Sequence, residues 1–109
     1  MKLKNPFSTE TRWLFFDYRY TCANCGGNGQ DCGGTELHHI RGRISDSKLN
    51  GIVLCKNCHN KIGHTNEEEA KYLQYTIKRF IMKDIKLIEK DLSFYRDNEK
   101  LYNYEITTA

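Results

Sequence analysis

The sequence has very little proline and no long apolar run. Its one proline is Pro6, and all eight glycines lie between Gly26 and Gly63. No stretch approaches the roughly 20 apolar residues that span a bilayer, and the opening MKLKNPFSTETRW lacks the apolar segment of a secretory signal peptide. We therefore expect no membrane partner and a cytoplasmic location.

The sequence also has no large excess of positive or negative charge. The net charge is +3, from 17 basic and 14 acidic residues, which is too mild to indicate nucleic-acid binding by itself. The basic excess lies in the part of the chain that also holds the cysteines and histidines. A functional site is therefore expected there.

The five cysteines predict a metal site. A chain of 109 residues can bury only a small core and often needs a metal or disulfides for stability. Two C-x-x-C pairs, Cys22 with Cys25 and Cys55 with Cys58, can offer four thiolates to one tetrahedral Zn²⁺. An odd cysteine number suits this better than a disulfide framework. Cys32 is expected to be a spare thiol, with ligation in place of Cys25 as the alternative.

Helical patterns flank the cysteine-rich centre. Residues 8–20 contain no breaker and predict a short helix, and residues 65–98 contain neither Gly nor Pro and open with the capping sequence TNEEE. The N-terminal helix is expected to turn Trp13, Leu14 and Phe16 inward. The second segment predicts one long amphipathic helix, whose apolar stripe consists of Leu73, Ile77, Ile81, Ile85, Ile88, Leu92 and Tyr95.

So long a helix could not bury its whole stripe on so small a body. One interpretation is a homodimer formed through the C-terminal helix. The other is a DNA-tracking arm, although interleaved acidic residues favour an ordinary solvated face; its basic residues would be Lys78, Lys83, Lys86 and Lys90. The domain boundaries follow: a core over residues 1–64, and a helix and tail over 65–109 that either join this core or mediate dimerisation.

The centre of the chain contains an unusual histidine pair. Residues 36–40 read ELHHI, and their composition predicts a strand over 35–40 paired antiparallel with one over 51–54. The intervening loop is basic, and HNKIGH after the second cysteine pair predicts a short helix. Successive side chains on a strand point to opposite faces, so His38 and His39 cannot have the same task.

This arrangement resembles the HNH endonucleases, the ββα-metal nucleases, in the variety with two C-x-x-C zinc knuckles. The resemblance covers residues 22 to about 64 and rests on His38–His39, Asn50 and His59 between and after the knuckles; ELHHI is also similar to the two-histidine version in colicin DNases. It implies an α+β fold with a small ββα-metal (HNH) core stapled by a Cys₄ zinc. It also implies hydrolysis of DNA phosphodiester bonds, and an origin in a bacteriophage, acting in the host cytoplasm.

The resemblance also implies a role for each matching residue. His39 would be the general base that activates water, and His38 and His59 would bind one divalent cation. Asn50 would hold the loop and fix the ring of His39. His64 is a further candidate ligand, although it departs from the colicin-like spacing by one residue. Ligation of the structural zinc is the alternative for His38 and for His59.

The chemistry is consistent with these roles. A Lewis acid stabilises charge on the phosphate and on the leaving oxygen, and an imidazole can take a proton from water near neutral pH. An imidazole-rich site suits Mn²⁺, Ni²⁺, Co²⁺ or Zn²⁺ as well as Mg²⁺. Basic residues of the loop could grip neighbouring phosphates or simply be solvated; they are Arg41, Arg43 and Lys48.

Two other functions are compatible with the sequence. A zinc-stapled module could bind DNA without cutting it. Alternatively, the long C-terminal helix could be the functional part of a dimeric interaction protein, with the zinc centre as its cap.

Overall fold

The computed structural model describes residues 7–28 and 33–105, which form an α+β fold. Within these residues there is one two-stranded antiparallel sheet with five α-helices. The strands are β1 (Thr35–His39) and β2 (Gly51–Cys55), and the helices are α1 (Thr9–Trp13), α2 (Lys56–Lys61), α3 (Asn66–Met82), α4 (Glu89–Asp97) and α5 (Glu99–Tyr102). The predicted α+β class is confirmed. Cys32 lies outside the described residues.

The strand pair agrees with the prediction. β1 and β2 are antiparallel, with His38 opposite Ile52 and His39 opposite Gly51. All five residues of β2 are buried, because helices pack against it. A Cβ at Gly51 would lie 3.0 Å from the ring of Phe15, so a larger residue there would require this ring to shift. α2 follows β2 directly and packs on both strands.

The N-terminal helix is shorter than predicted, and its inward face is different. α1 ends at Trp13, and the chain continues into a 3₁₀ turn at Phe16–Tyr18. Trp13 and Phe16 are 63% and 44% exposed, and the prediction that they face inward is wrong, whereas Leu14 is partly buried against the core. Phe15 is buried instead and packs edge-on against Phe80.

The prediction of a single long C-terminal helix is also wrong. α3 begins as predicted, with Thr65 accepting a hydrogen bond from the backbone N–H of Glu68, but it ends at Met82. Asp84 then adopts a left-handed conformation with φ of 55°, which Asp tolerates better than most residues. The following N–H, of Ile85, returns to the carbonyl of Phe80 at 3.0 Å. The chain therefore turns, and the continuous stripe expected along one helix is not formed.

A buried carboxylate holds α4 against the body of the protein. Asp91 is fully buried and accepts hydrogen bonds from the Ser47 hydroxyl and from the backbone N–H groups of Lys48 and Ile88. The ammonium of Lys48 lies 3.6 Å from Asp91 and donates to the carbonyl of Lys86. Lys48 is only 7% exposed. The prediction that Lys48 contacts phosphates is therefore corrected, because its ammonium group interacts with Asp91 and the Lys86 carbonyl instead.

One apolar core joins both ends of the described chain. It contains residues of the sheet, such as Ile52 and Leu54, together with residues of the C-terminal helices, such as Leu73, Phe80 and Phe94. Residues 65–105 thus pack on the same core as the sheet. No helix in the described part of the chain is long and apolar enough to cross a membrane.

Candidate functional site

The four cysteines of the two C-x-x-C pairs converge as predicted. Among the described residues they are the one group of three or more His, Cys, Asp or Glu ligand atoms that all lie within 4.8 Å of one another. Tetrahedral thiolates on Zn²⁺ at 2.3 Å would be about 3.8 Å apart, so the sulfurs fit a single ion after small adjustments. The cluster could bind a structural metal such as zinc; its members are Cys22, Cys25, Cys55 and Cys58.

The backbone around the cluster is arranged for thiolates. The N–H groups of Cys25 and Cys58 donate to the sulfurs of Cys22 and Cys55, at 3.5 and 3.4 Å. Burial alone would raise the pKa of the Cys22 thiol, but backbone N–H groups outweigh burial and lower it to about 6. At Cys58 the shift is opposite: Asn24 lowers the pKa, but burial and the neighbouring sulfurs outweigh it and raise the pKa to about 12. Gly26, at a positive φ of 70°, closes the first turn. Cys55 also caps α2 through its sulfur, so metal binding and the position of α2 are coupled.

A polar chain extends from the cluster to α3. The side-chain amide of Asn24 lies 3.6 Å from the Cys58 sulfur, and Lys71 donates to the Asn24 oxygen at 2.8 Å. Four thiolates around a divalent ion carry excess negative charge. Lys71 therefore partly offsets that charge through Asn24.

His38 and His59 meet directly beneath the surface. Nδ1 of His38 lies 3.1 Å from Nε2 of His59. This separation is that of a hydrogen bond between the two rings, and it is also close to the roughly 3.3 Å between two nitrogens on one tetrahedral ion. Burial first, and then the nearby histidines, lower the pKa of His38 to about 4. His38 is therefore neutral at neutral pH, the form that can bind a metal.

Glu36 orients His59, and sequence reasoning missed it. Its carboxylate lies 3.1 Å from Nδ1 of His59. A carboxylate accepts from Nδ1, so Nε2 is the nitrogen that faces His38. The signal was available, since Glu36 and His38 are two apart on β1 and share a face.

His64 approaches this pair without joining it closely. Its ring centre lies 5.8 Å from that of His38, and its residue is exposed. It belongs to no group of three described ligands within 4.8 Å. α2 ends at Lys61, and residues 62–65 are not helical, so His64 is displaced from the helical face that carries His59.

His39 points away from His38, as strand geometry predicts. Its ring stacks on Phe7 with centroids 3.7 Å apart and planes 8° from parallel. Its Nε2 is enclosed and has no hydrogen-bond partner among the described residues. Burial, and then the charge of Arg43, lower the pKa of His39 to about 4, partly opposed by Asp46. The ring is therefore neutral at neutral pH.

Asn50 spans the basic loop but does not contact the His39 ring. It is fully buried, accepts from the N–H of Arg41 at 2.8 Å, and donates to the carbonyls of Gly42 and Ser45 at 3.0 and 3.1 Å. These bonds hold the loop in place. The expected hydrogen bond to His39 is absent, because Phe7 stacks on that ring and the Asn50 amide is engaged by the loop.

The histidines line a cleft of about 530 Å³. Two exposed arginines, Arg43 from the loop and Arg12 from α1, also line it, and Arg12 was missed because its helix is far from the loop in sequence. Arg41 instead forms an ion pair with Glu69 of α3, so it braces the loop. Arg43 and Arg12 are therefore the two arginines that line the cleft.

Comparisons of the chain with protein-family models, curated proteins and solved structures gave no match. The functional argument therefore depends on the geometry of the chain's own residues.

Proposed function

We propose that this protein is a metal-dependent endonuclease of the HNH type that hydrolyses DNA phosphodiester bonds. The observation that carries the proposal is the 3.1 Å separation of His38 Nδ1 from His59 Nε2, in a cleft that also contains His39 and exposed arginines. The order strand, strand, helix around this cleft supports the proposed resemblance to ββα-metal nucleases, and the cysteine cluster supplies the brace that so small a core needs.

The divalent cation is the charge-stabilising group in this proposal. When bound by His38 and His59, it would supply Lewis-acid stabilisation of the phosphate and of the 3′ leaving oxygen. Glu36 keeps the proton of His59 on Nδ1, so that Nε2 remains a ligand. The proposed ligand set is all imidazole, with Glu36 acting through His59.

His39 acts as the general base. Its Nδ1 takes a proton from a water molecule, and the resulting hydroxide attacks phosphorus; such a step contributes about 10²- to 10⁴-fold. The ring is held by Phe7 rather than by Asn50, whose role is to shape the loop. Arg43 and Arg12 bind phosphates on the strand being cut, which adds affinity without reading bases.

The proposal is tested by cleavage of plasmid, linear duplex and single-stranded DNA with Mg²⁺, Mn²⁺, Ni²⁺, Co²⁺ or Zn²⁺ added. Cleavage is expected to require a divalent cation and to fall about 10²- to 10⁴-fold in His39→Ala, with zinc content and melting temperature retained. His64→Ala is the matched control and is expected to lose far less, because its ring is not in the ligand pair. Binding of DNA without cleavage under every metal would instead identify a non-catalytic module.

A further inference from the structure

A second groove, separate from the histidine cleft, lies between α3 and the N-terminal segment. It has a volume of about 440 Å³ and shares no lining residue with the cleft. Its lining residues are Tyr18, Ala23, Tyr75, Lys78, Arg79, Met82 and Lys83. Three of these are cationic and none is acidic, in a chain whose whole net charge is +3. The groove therefore concentrates positive charge.

Two of the three cations have no acidic partner among the residues that the structure describes. In residues 7–28 and 33–105, neither Lys78 nor Arg79 has a carboxylate within ion-pair distance. Arg79 is half-buried, with its guanidinium 4.5 Å above the ring of Tyr18. A partly desolvated cation without a counter-ion is unfavourable, so an anion in the groove would be stabilised by both groups.

The third cation is available at the rim. Lys83 forms an ion pair with Asp17 at 3.1 Å, and both side chains are largely exposed. Such a pair contributes little in water, so Lys83 can turn to an anion. The acidic residues that interleave with these lysines along the sequence do not line the groove: Asp84 lies in the turn after α3, and Asp91 is buried.

The remaining walls suit the face of a nucleic-acid base. Tyr75 is 38% exposed, with the Lys71 ammonium 5.7 Å from its ring centre, and Met82 is 76% exposed. The Tyr18 hydroxyl is enclosed and lacks a hydrogen-bond partner. Bases stack on exposed aromatic rings only when they are not already stacked in a duplex.

We propose that this groove binds a single-stranded segment of nucleic acid, with phosphates at Lys78 and Arg79 and a base on Tyr75. Charge complementarity favours a polyanion, and the combination of cations with an open aromatic ring favours one whose bases are unpaired. The binding goes beyond the proposed cleavage and does not depend on it. Ala23 lies between Cys22 and Cys25, so the groove adjoins the cysteine cluster.

The test measures fluorescence anisotropy of labelled twelve-nucleotide oligo(dT), oligo(U) and a duplex of equal length, with no divalent cation added. Lys78→Gln is compared with Lys86→Gln, which removes the same charge from an exposed lysine outside the groove. Lys78→Gln is expected to weaken single-strand binding several-fold and to reduce the salt slope by about 0.7. Tyr75→Leu is expected to weaken it about tenfold, and Tyr104→Leu, another exposed tyrosine, to leave it unchanged.

A direct contact is tested by photocrosslinking an oligonucleotide that carries 5-iododeoxyuridine and mapping the adduct, which is expected at Tyr75. The proposal is overturned if Lys86→Gln weakens binding as much as Lys78→Gln, if Tyr75→Leu binds normally, or if Lys78→Gln weakens duplex binding as much as it weakens single-strand binding. A preference for oligo(U) over oligo(dT) would assign the groove to RNA within the same proposal. These experiments measure binding and not cleavage, so they test the groove even if the protein proves not to be a nuclease.

Discussion

The carboxylate of Glu36 lies 3.1 Å from Nδ1 of His59, and this contact turns the opposite nitrogen of the ring toward His38. A residue of β1 thus determines which nitrogen of a residue in α2 faces His38. Neither residue could do this alone, because an unrestrained imidazole exchanges its proton between two nitrogens.

Replacement of Glu36 is expected to weaken the histidine site. In Glu36→Ala, binding of Mn²⁺ or Ni²⁺ should fall about 10- to 100-fold, as is usual when the partner of a metal-binding histidine is lost. Isothermal titration of the zinc-loaded protein measures this. Glu10→Ala removes an exposed carboxylate from α1 and should bind normally; equal affinities in the two variants would contradict the role of Glu36.

Phe7 is expected to position the ring of His39. Phe7→Ala should lower the single-turnover cleavage rate about tenfold, because small misplacements of a reacting group are costly, while affinity for the divalent cation is unchanged. The buried ring also contributes about 3 kcal/mol to stability, so rates are compared well below the melting temperature. Phe7→Tyr retains the stacking and should restore the rate. An unchanged rate in Phe7→Ala would show that stacking does not matter for catalysis.

Loss of one cluster cysteine is expected to release the structural metal. Cys55→Ser should lose the bound zinc, measured by atomic emission, and much of its cooperative unfolding, because the same sulfur caps α2. Cys32→Ser is the control and should keep its zinc, in agreement with the prediction that Cys32 is a spare thiol. Loss of zinc from Cys32→Ser but not from Cys55→Ser would refute the Cys₄ assignment.

Asp91 is expected to be the most important acidic residue for stability. Asp91→Ala leaves the ammonium of Lys48 buried without its partner and uncaps α4, so the free energy of unfolding should fall by about 3 kcal/mol or more. Asp97→Ala, at an exposed position of the same helix, should change it by less than about 0.5 kcal/mol. Urea denaturation measures both, and similar losses would contradict this account.

Asp46 is expected to make stability depend on pH. Burial favours a higher pKa for this carboxyl, but hydrogen bonds from Lys90 and Ser8 outweigh burial and lower its pKa from the ordinary 3.8. A lowered folded pKa stabilises the protein above the unfolded pKa and loses that effect as the pH falls through the folded value. Asp46→Asn should therefore be less stable than the wild type at pH 7, with the difference shrinking below about pH 4. The free energy of unfolding of both proteins is measured by urea denaturation at several pH values. A difference between them that does not change with pH would contradict this effect of Asp46.

Sequence patterns correctly predicted those features that depend only on residues close together in the chain. The alternation of side chains along a strand correctly predicted that His38 and His39 point in opposite directions. The two C-x-x-C pairs correctly predicted the cysteine cluster, because each turn positions its own two sulfurs. The two strands were also found, since β-branched and apolar residues flank them. The bounds agree to within one residue at the ends.

The C-terminal helices show where local patterns failed. Residues 65–98 contain no glycine or proline, and nothing local marks Asp84 as the point where the chain turns. Beyond the turn, α4 is held by Asp91, which accepts hydrogen bonds from Ser47 and Lys48 more than forty residues away. The same contacts explain why Lys48, read as a surface lysine, is buried.

The sequence by itself determined the ligand types, their spacing and the opposite faces of the paired histidines, because these follow from bond geometry within a few residues. Only the tertiary structure decided that Glu36 restrains His59, that Phe7 covers His39, and that Lys78 and Arg79 have no acidic partner in the part of the chain that the structure describes. Each of these depends on how helices pack against the sheet, and packing is set by the summed burial of residues that are distant along the chain.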